Sequence, residues 1–335
     1  MKALITGSAG FAGSHLAEYL LEQGQEVVAL VRSEDRLRNL EHLLSRIQVT
    51  RGDVLDLHRI SAVLQETRPQ RVYHLAALSS AAASFDNPPL TYNVNFTGTF
   101  NLLWAWRQTQ LDSRFLLVSS SEVYGQVSER NLPVREDAPL RPPSPYAGSK
   151  AAAELLGLQF FESYGLPIVR VRPFNHTGPR QSSSYVCSSL ARQVVEIELG
   201  LRAPLIAVGN LNARRDFSDV RDIVRGYHLL LERGQPGDVY QLCSGRPVSI
   251  ENVLQSLLRS LSKAVKVTED ESKLRVRDVP AMWGDSSKAA RAASWKPCYQ
   301  LQSTLHDLTQ YWEDSIQAER AGISTQAAPP ELPSR

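Results

Sequence analysis

The sequence predicts an α/β fold, a doubly wound parallel sheet of Rossmann type with a smaller α/β substrate-binding lobe. Two observations lead there. Short apolar runs alternate with helical patterns through the first half of the chain, and a glycine-rich turn separates the first such run from the first helix. Ala3–Thr6 is too short for a helix and is bounded by Gly7, so it reads as a buried strand. Gly7-Ser8-Ala9-Gly10-Phe11-Ala12-Gly13 follows, and an amphipathic pattern predicts a helix over Phe11–Gln23. Further strands are read at Glu26–Val31, Ile47–Thr50, Arg71–Leu75, Phe115–Ser119 and Ile168–Arg172. Helices are read at His58–Glu66, Leu90–Gln108 and Tyr146–Tyr164. In such sheets ligands bind beyond the carboxyl ends of the strands, where Thr6, Arg32, Ala76, Ser119 and Pro173 fall.

After Pro173 the alternation gives way to longer irregular stretches, with helices at Val186–Leu199, Val220–Glu232, Ile250–Leu261 and Leu301–Trp312. Residues 1–172 are expected to form the dinucleotide-binding domain, with returns near 205–245; Val239–Cys243 is one strand that can rejoin the first sheet. Residues 173–320 are expected to build mainly the substrate lobe, and 321–335, small, polar and Pro-rich, reads as a mobile tail.

With 335 residues, 42% of them hydrophobic, the chain can bury a large core. A net charge of +2 gives no reason to expect a nucleic-acid partner. No apolar run approaches the roughly 20 residues that span a bilayer, and the opening residues form a strand rather than a signal peptide. Cys187, Cys243 and Cys298 are scattered and odd in number, which fits a reduced, cytoplasmic protein, and the seven histidines show no metal-ligand spacing. No metal site is expected.

The glycine turn, with spacing G-x-x-G-x-x-G, makes Gly7, Gly10, Phe11, Ala12 and Gly13 candidates for binding a dinucleotide pyrophosphate at a helix N-terminus. Arg32, at the end of the second strand, stands where an acidic residue would grip an adenosine ribose; arginine suits a 2′-phosphate, which favours NADP(H) and leaves NAD(H) open. Asp53 and Val54 sit where an adenine could be bound, Leu75, Ala76 and Ala77 offer small or apolar residues along the cofactor's path, and Pro173 closes the sixth strand. Tyr146 and Lys150 lie four apart, on one helix face. A nearby cation lowers a phenol's pKa, so beside a nicotinamide this pair makes a proton-transfer unit and also a cofactor contact. Ser119-Ser120-Ser121-Glu122 closes the fifth strand and brings hydroxyls and a carboxylate to the cleft, where a serine can hold a substrate carbonyl or alcohol.

Taken together, Thr6-Gly7-x-x-Gly10-x-x-Gly13, His74-Leu75-Ala76-Ala77, Ser119-Ser120-Ser121-Glu122-Val123-Tyr124-Gly125, Tyr146-x-x-x-Lys150 and Arg172-Pro173-Phe174-Asn175 resemble the extended short-chain dehydrogenase/reductase family. The resemblance runs from Met1 to about Trp312. It implies NAD(P), a nucleotide-sugar substrate and a homodimer made through a four-helix bundle of Leu90–Gln108 and Tyr146–Tyr164. Phe174-Asn175-His176-Thr177-Gly178-Pro179-Arg180-Gln181, Arg214-Arg215-Asp216-Phe217-Ser218-Asp219-Val220-Arg221-Asp222 and Leu274-Arg275-Val276-Arg277-Asp278-Val279 resemble its GDP-sugar branch.

Within that branch a sugar diphosphate calls for cations: Arg215 and Arg275 first, then Arg192. Asp278 suits the N–H edge of guanine, Asn175 a phosphate or sugar oxygen, and Ser79 and Ser119 join Ser120 as substrate contacts. The resemblance is closer to reduction of GDP-4-keto-6-deoxy-D-mannose to GDP-D-rhamnose, with Tyr146 as proton donor, Lys150 lowering its pKa and Ser120 positioning the carbonyl. The alternative is 4,6-dehydration of GDP-mannose, with Glu122 as an additional acid/base; against it, Ser120 stands where the dehydratase pattern has threonine. A third reading is a non-enzymatic NAD(P)-binding sensor, disfavoured by the intact Ser120, Tyr146 and Lys150 set.

Overall fold

The computed structural model of the protein describes residues 1–32, 37–271 and 279–322. β1 (Lys2–Thr6), α1 (Phe11–Glu22), β2 (Glu26–Val31), β3 (Gln48–Arg51) and α2 (Leu57–Thr67) open the chain. β4 (Arg71–His74), α3 (Pro88–Tyr92), α4 (Gly98–Thr109), β5 (Arg114–Val118), α5 (Pro145–Tyr164) and β6 (Ile168–Pro173) follow. Next come β7 (Asn175–Thr177), α6 (Val186–Glu198), β8 (Leu205–Val208), β9 (Arg214–Asp219), α7 (Val220–Arg233) and β10 (Val239–Leu242). β11 (Pro247–Ser249), α8 (Ile250–Leu258), β12 (Lys266–Glu269), β13 (Ala281–Met282), α9 (Ser287–Ala293) and α10 (Leu301–Arg320) complete the order.

The chain divides into two compact units. The first takes Met1–His176, Arg215–Pro247 and Ala281–Cys298; the second takes Thr177–Arg214, Val248–Pro280 and the stretch from Tyr299 on.

The first unit is built on a seven-stranded sheet in the order β10-β6-β5-β4-β1-β2-β3. Every adjacent pair is parallel. The order reverses at β1, between β2 and β4, which marks the switch point where such sheets bind ligands. Both faces are covered, as an all-parallel sheet requires. Ala3, Ile5, Val27, Ala29, Val31, Leu116 and Val118 pack with Leu16 and Leu20 of α1 and Val224 and Tyr227 of α7. The alternate residues Leu4, Val28, Leu30, Phe115 and Leu117 pack with α2, with Leu102 and Trp106 of α4 and with Phe160 of α5. The strand period of two thus sends neighbouring residues to opposite cores. The return of Val239–Cys243 to the first sheet is found: β10 pairs with β6, Val239 opposite Arg170 through Leu242 opposite Pro173.

Local caps fix the helices that carry the site. Ser144 accepts from Ala147 N–H at 3.1 Å to start α5, Pro145 occupies its first turn, and Gly165 ends it at φ +66°. The stretch expected as one helix over Leu90–Gln108 begins earlier and is interrupted. Asn87 caps it, accepting from Leu90 N–H at 3.0 Å, so Pro88 and Pro89 stand in a first turn where their missing N–H groups cost nothing. One π turn over Asn93–Thr97 then separates α3 from α4.

In the second unit α6, α8 and α10 pack together, and β8 pairs in parallel with β12. Gln193 ties α6 to β8, accepting from Ala207 N–H at 3.0 Å, and the Trp312 indole donates to Ser188 Oγ at 2.9 Å. α8 ends at Leu258 rather than Leu261, and α10 runs to Arg320, two turns past the expected Trp312; those last turns are mostly polar, so the apolar period does not mark them in the sequence. No described helix is long and apolar enough to cross a membrane.

Candidate active site

The glycine turn lies in the first unit at the switch point. Gly7 has φ +73°, and a Cβ on it would meet Ala76 N at 2.8 Å; a Cβ on Gly13 would meet Gly7 O at 2.1 Å. Only glycine allows the turn to close this tightly against the start of α1. Gly10 is the N-cap of α1 with no side-chain cap, and the first turn (Phe11, Ala12, Gly13) carries no acidic residue. The helix N-terminus therefore presents backbone N–H groups and positive dipole without a resident anion, which fits a pyrophosphate.

The other cofactor candidates stand along the same carboxyl edge. Arg32 is exposed just beyond β2. Asp53 uses Oδ1 to accept from Leu55 N–H at 2.9 Å, and Val54 is buried against Gly98, with its carbonyl accepting from Asn101 Nδ2 at 3.1 Å. Leu75, Ala76 and Ala77 are half-buried past β4, with Ala76 N–H donating to Thr6 Oγ1 at 3.1 Å. Pro173 is buried at the end of β6.

Ser120 caps the short 3-10 turn Ser121–Tyr124, which packs against α5. Its hydroxyl accepts from Glu122 N–H at 3.1 Å, which leaves the hydroxyl proton available to a ligand. Ser119 Oγ is buried and makes no hydrogen bond among the described residues. Glu122 is half-buried one position into that turn. Tyr146 is the second residue of α5, half-buried, and Lys150 lies one turn on, 5% exposed. Lys150 Nζ makes no hydrogen bond or ion pair among the described residues, and burial brings its pKa down to about 8 while the Glu154 carboxylate pulls the other way. A buried ammonium left this way can donate hydrogen bonds to an acceptor brought by a ligand.

Ser79 is exposed in the loop after β4, Asn175 half-buried in β7 and Arg215 half-buried in β9. Arg192, in the second unit, is engaged: its Nε donates to Glu196 at 2.7 Å and its guanidinium lies 5.0 Å from the centre of the Trp312 ring. Arg275 and Asp278 lie outside the described residues. No group of three or more His, Cys, Asp or Glu among the described residues could hold a metal ion.

Residues not singled out from the sequence surround this edge. Glu154 continues the Tyr146–Lys150 ladder by another four residues and is 1% exposed, and Arg172 binds it from β6. His74, seen only as part of a motif, is buried between Thr6 and Thr99. The His176 ring stacks on Phe11 of the glycine turn, centroids 5.7 Å apart.

A parallel doubly wound sheet with a glycine turn at its switch point and a Tyr/Lys pair on the helix after β5 defines the class of extended short-chain dehydrogenases/reductases, enzymes of the oxidoreductase type. The GDP-mannose 4,6 dehydratase family matches residues 4–308, and the chain belongs to that family. It is 33% identical to the GDP-6-deoxy-D-mannose reductase of Pseudomonas aeruginosa over 318 residues, covering 95% of this chain and 99% of the relative. It is 31% identical to the GDP-mannose 4,6 dehydratase of Cricetulus griseus, covering 92% and 90%. The structure of RMD from Pseudomonas aeruginosa complexed with NADPH superposes with a TM-score of 0.83 at 32% identity, covering 93% of this chain and 99% of that one.

Proposed function

We propose that the protein reduces GDP-4-keto-6-deoxy-D-mannose to GDP-D-rhamnose, with NADP(H) favoured as cofactor and NAD(H) left open. The observation that carries the reading is the Tyr146/Lys150 pair one turn apart on α5, with the Lys150 ammonium buried and making no hydrogen bond or ion pair among the described residues. The match to the Pseudomonas reductase over 95% of this chain and 99% of the relative agrees with reduction, while dehydratases match at similar identity, so the choice between the two rests on Ser120 standing where the dehydratase pattern has threonine. The NADPH in the RMD structure and Arg32 beyond β2 support the cofactor choice.

Gly7, Gly10, Phe11, Ala12 and Gly13 would hold the cofactor's pyrophosphate, and Arg32 a 2′-phosphate. Bound there, the nicotinamide supplies a hydride to C4 of the sugar. Ser120 donates a hydrogen bond to the C4 carbonyl oxygen and orients it. Tyr146 gives its phenolic proton to that oxygen as negative charge develops on it, and Lys150 stabilises the phenolate left behind. Asn175, Arg215, Arg275 and Asp278 are assigned to the GDP moiety, with Ser79 and Ser119 toward the sugar and Arg192 the weakest of the set, given its contacts to Glu196 and Trp312.

The second reading is the 4,6-dehydratase, favoured by Glu122, a half-buried carboxylate two residues from Ser120. We also assign a homodimer through a four-helix bundle. Tyr92 at the end of α3, Phe96 in the π turn and Phe100 in α4 are all exposed, as are Leu155 and Tyr164 on α5. The three cysteines are unpaired, which suits the reducing cytoplasm.

The test is to incubate the pure protein with GDP-mannose alone, and separately with GDP-4-keto-6-deoxy-D-mannose plus NADPH. NADPH oxidation that depends on the keto sugar is expected. Keto sugar formed from GDP-mannose without added reductant would establish the dehydratase instead, and no turnover of either would leave a binding protein.

A further inference from the structure

A single chain of hydrogen bonds runs from the glycine turn to the first turn of α5. Ala76 N–H donates to Thr6 Oγ1 at 3.1 Å, and Thr6 Oγ1 lies 2.7 Å from His74 Nδ1. His74 Nε2 lies 2.8 Å from Thr99 Oγ1, which bonds to Asn95 O at 2.7 Å. The Asn95 side chain accepts from Leu78 N–H at 2.7 Å and donates to Leu78 O at 3.1 Å and to Ser149 Oγ at 2.9 Å. Ser149 Oγ in turn donates to the backbone carbonyl of Tyr146 at 2.7 Å.

The proton directions in this chain are determined. A carbonyl only accepts, so the one hydroxyl proton of Thr99 goes to Asn95 O, and Thr99 Oγ1 must accept from His74 Nε2. His74 is therefore the Nε2–H tautomer, and its Nδ1 accepts the hydroxyl proton of Thr6, whose oxygen takes the Ala76 N–H. Each donated hydrogen has one acceptor along the path, the two on Asn95 Nδ2 going to Leu78 O and Ser149 Oγ. A charged imidazole would place a second proton on Nδ1 and turn Thr6 around; burial, with the Lys150 ammonium nearby, pushes the His74 pKa down to about 3 and keeps the ring neutral.

A 1% exposed imidazole is an expensive way to fill core space, since both nitrogens must be satisfied. An apolar side chain of that shape would pack without the need. What the ring supplies is a directional strut. Thr6 ends β1 immediately before Gly7, whose absent Cβ would strike Ala76 N, so one end of the strut holds the cofactor turn. The other end, through Asn95 and Ser149, holds the turn of α5 that carries Tyr146. We propose that His74 is a positioning residue: through Thr6 and Thr99 it fixes the glycine turn against the first turn of α5, and so sets Tyr146 and Lys150 relative to the bound nicotinamide. The proposal rests on the hydride-transfer reading above.

Two measurements on the full chain test it. The first is ¹⁵N NMR of histidine-labelled protein without ligands, which should show His74 as the neutral Nε2–H tautomer from pH 5.5 to 8.5. An Nδ1–H tautomer, or titration in that range, would overturn the arrangement. The second compares Thr99→Val, which removes the acceptor for Nε2–H and the donor to Asn95, with Thr99→Ser, which keeps both. Thr99→Val should bind NADPH within about threefold of the wild type while kcat falls ten- to a hundredfold, since displacements of ~1 Å between reacting groups cost about that much. Thr99→Ser should restore kcat to within about threefold. Wild-type kcat in Thr99→Val, or equal losses in both variants, would refute the positioning role. Failure of the reaction itself is separable: a wild-type chain that turns over neither sugar nucleotide overturns the assigned activity, while the nitrogen shifts still decide the state of His74.

Discussion

Arg172 grips Glu154 with both arms of its guanidinium, Nε to Oε2 at 2.9 Å and Nη2 to Oε1 at 2.6 Å, and neither residue is more than 4% exposed. Its remaining arm donates to the Tyr124 hydroxyl at 2.7 Å and to Glu136 O at 2.9 Å, and Arg170 lies 3.6 Å from the same carboxylate. Glu154 is thus the counter-charge for two buried arginines of β6. It stands one helical turn beyond Lys150.

Removing that carboxylate leaves uncompensated buried charge. Glu154→Ala should lose about 3–5 kcal/mol of stability, as buried pairs do when one partner is removed. The double change Glu154→Leu with Arg172→Met should recover part of it. Urea denaturation of the three proteins checks this, and a loss under 1 kcal/mol in Glu154→Ala would show that the pair is not holding α5 to β6.

Lys150 has a pKa of 10.5 when unburied and about 8 in the fold. Between those values the unfolded chain holds a proton that the folded chain has lost, so this group makes stability rise with pH across that window; below about pH 8 its cost is constant. Lys150→Met should therefore be more stable than the wild type at pH 7, by up to about 3 kcal/mol, and the advantage should shrink from pH 8 to 10.5. If Lys150 acts as proposed, as a charged ammonium, kcat/KM of the wild type should fall on the alkaline side with a midpoint near 8. Thermal melts against pH and a pH–rate profile read the two halves separately.

Gly13→Ala places a Cβ 2.1 Å from Gly7 O, and Gly7→Ala forces φ +73° on an L side chain and meets Ala76 N at 2.8 Å. Either change should weaken NADPH binding by at least about a hundredfold, with the turn displaced from the N-terminus of α1. A fluorescence titration measures it; wild-type affinity in Gly13→Ala would place the pyrophosphate elsewhere.

Tyr146→Phe should reduce kcat by about 10²–10⁴-fold, the range for a lost general acid, with cofactor affinity little changed. Turnover at the wild-type rate would remove Tyr146 from the reaction.

If two copies meet through α3, α4 and α5, the exposed Phe100 and Leu155 fall inside the contact. Phe100→Glu should then convert a wild-type dimer to a monomer in analytical ultracentrifugation at micromolar concentration. A wild-type monomer under those conditions would dismiss the bundle.

The sheet and the Tyr/Lys helix are legible in the sequence because their signals are local: glycine spacing, the short unbroken apolar run Val27–Val31, a spacing of four from Tyr146 to Lys150. Glu154 was equally visible as the next step of that ladder. What escapes is what strand pairing creates. Thr6 and His74 are 68 residues apart and meet only because β1 and β4 are neighbours in register. The strands Asn175–Thr177 and Ala281–Met282 are too short to show alternation at all. Arg192 looked like a phosphate ligand by charge alone, and only the fold reveals the Glu196 and Trp312 contacts that occupy it. The helix expected from Leu90 starts at Pro88, because Asn87 supplies the cap and the two prolines fit its first turn.

The three-part composition of the first unit has a consequence for biosynthesis. As the chain leaves the ribosome, β6 is complete some seventy residues before β10 arrives to flank it, and α7, which covers Val169 and Val171, is made only after the first stretch of the second unit. Throughout that interval β6 is an edge strand with its outer side unpaired, a template for pairing with other chains. Translation arrested near residue 176 should yield an aggregation-prone fragment rather than a free-standing nucleotide-binding module. A fold laid out in one continuous stretch would close that edge sooner; here it closes only when elongation reaches β10.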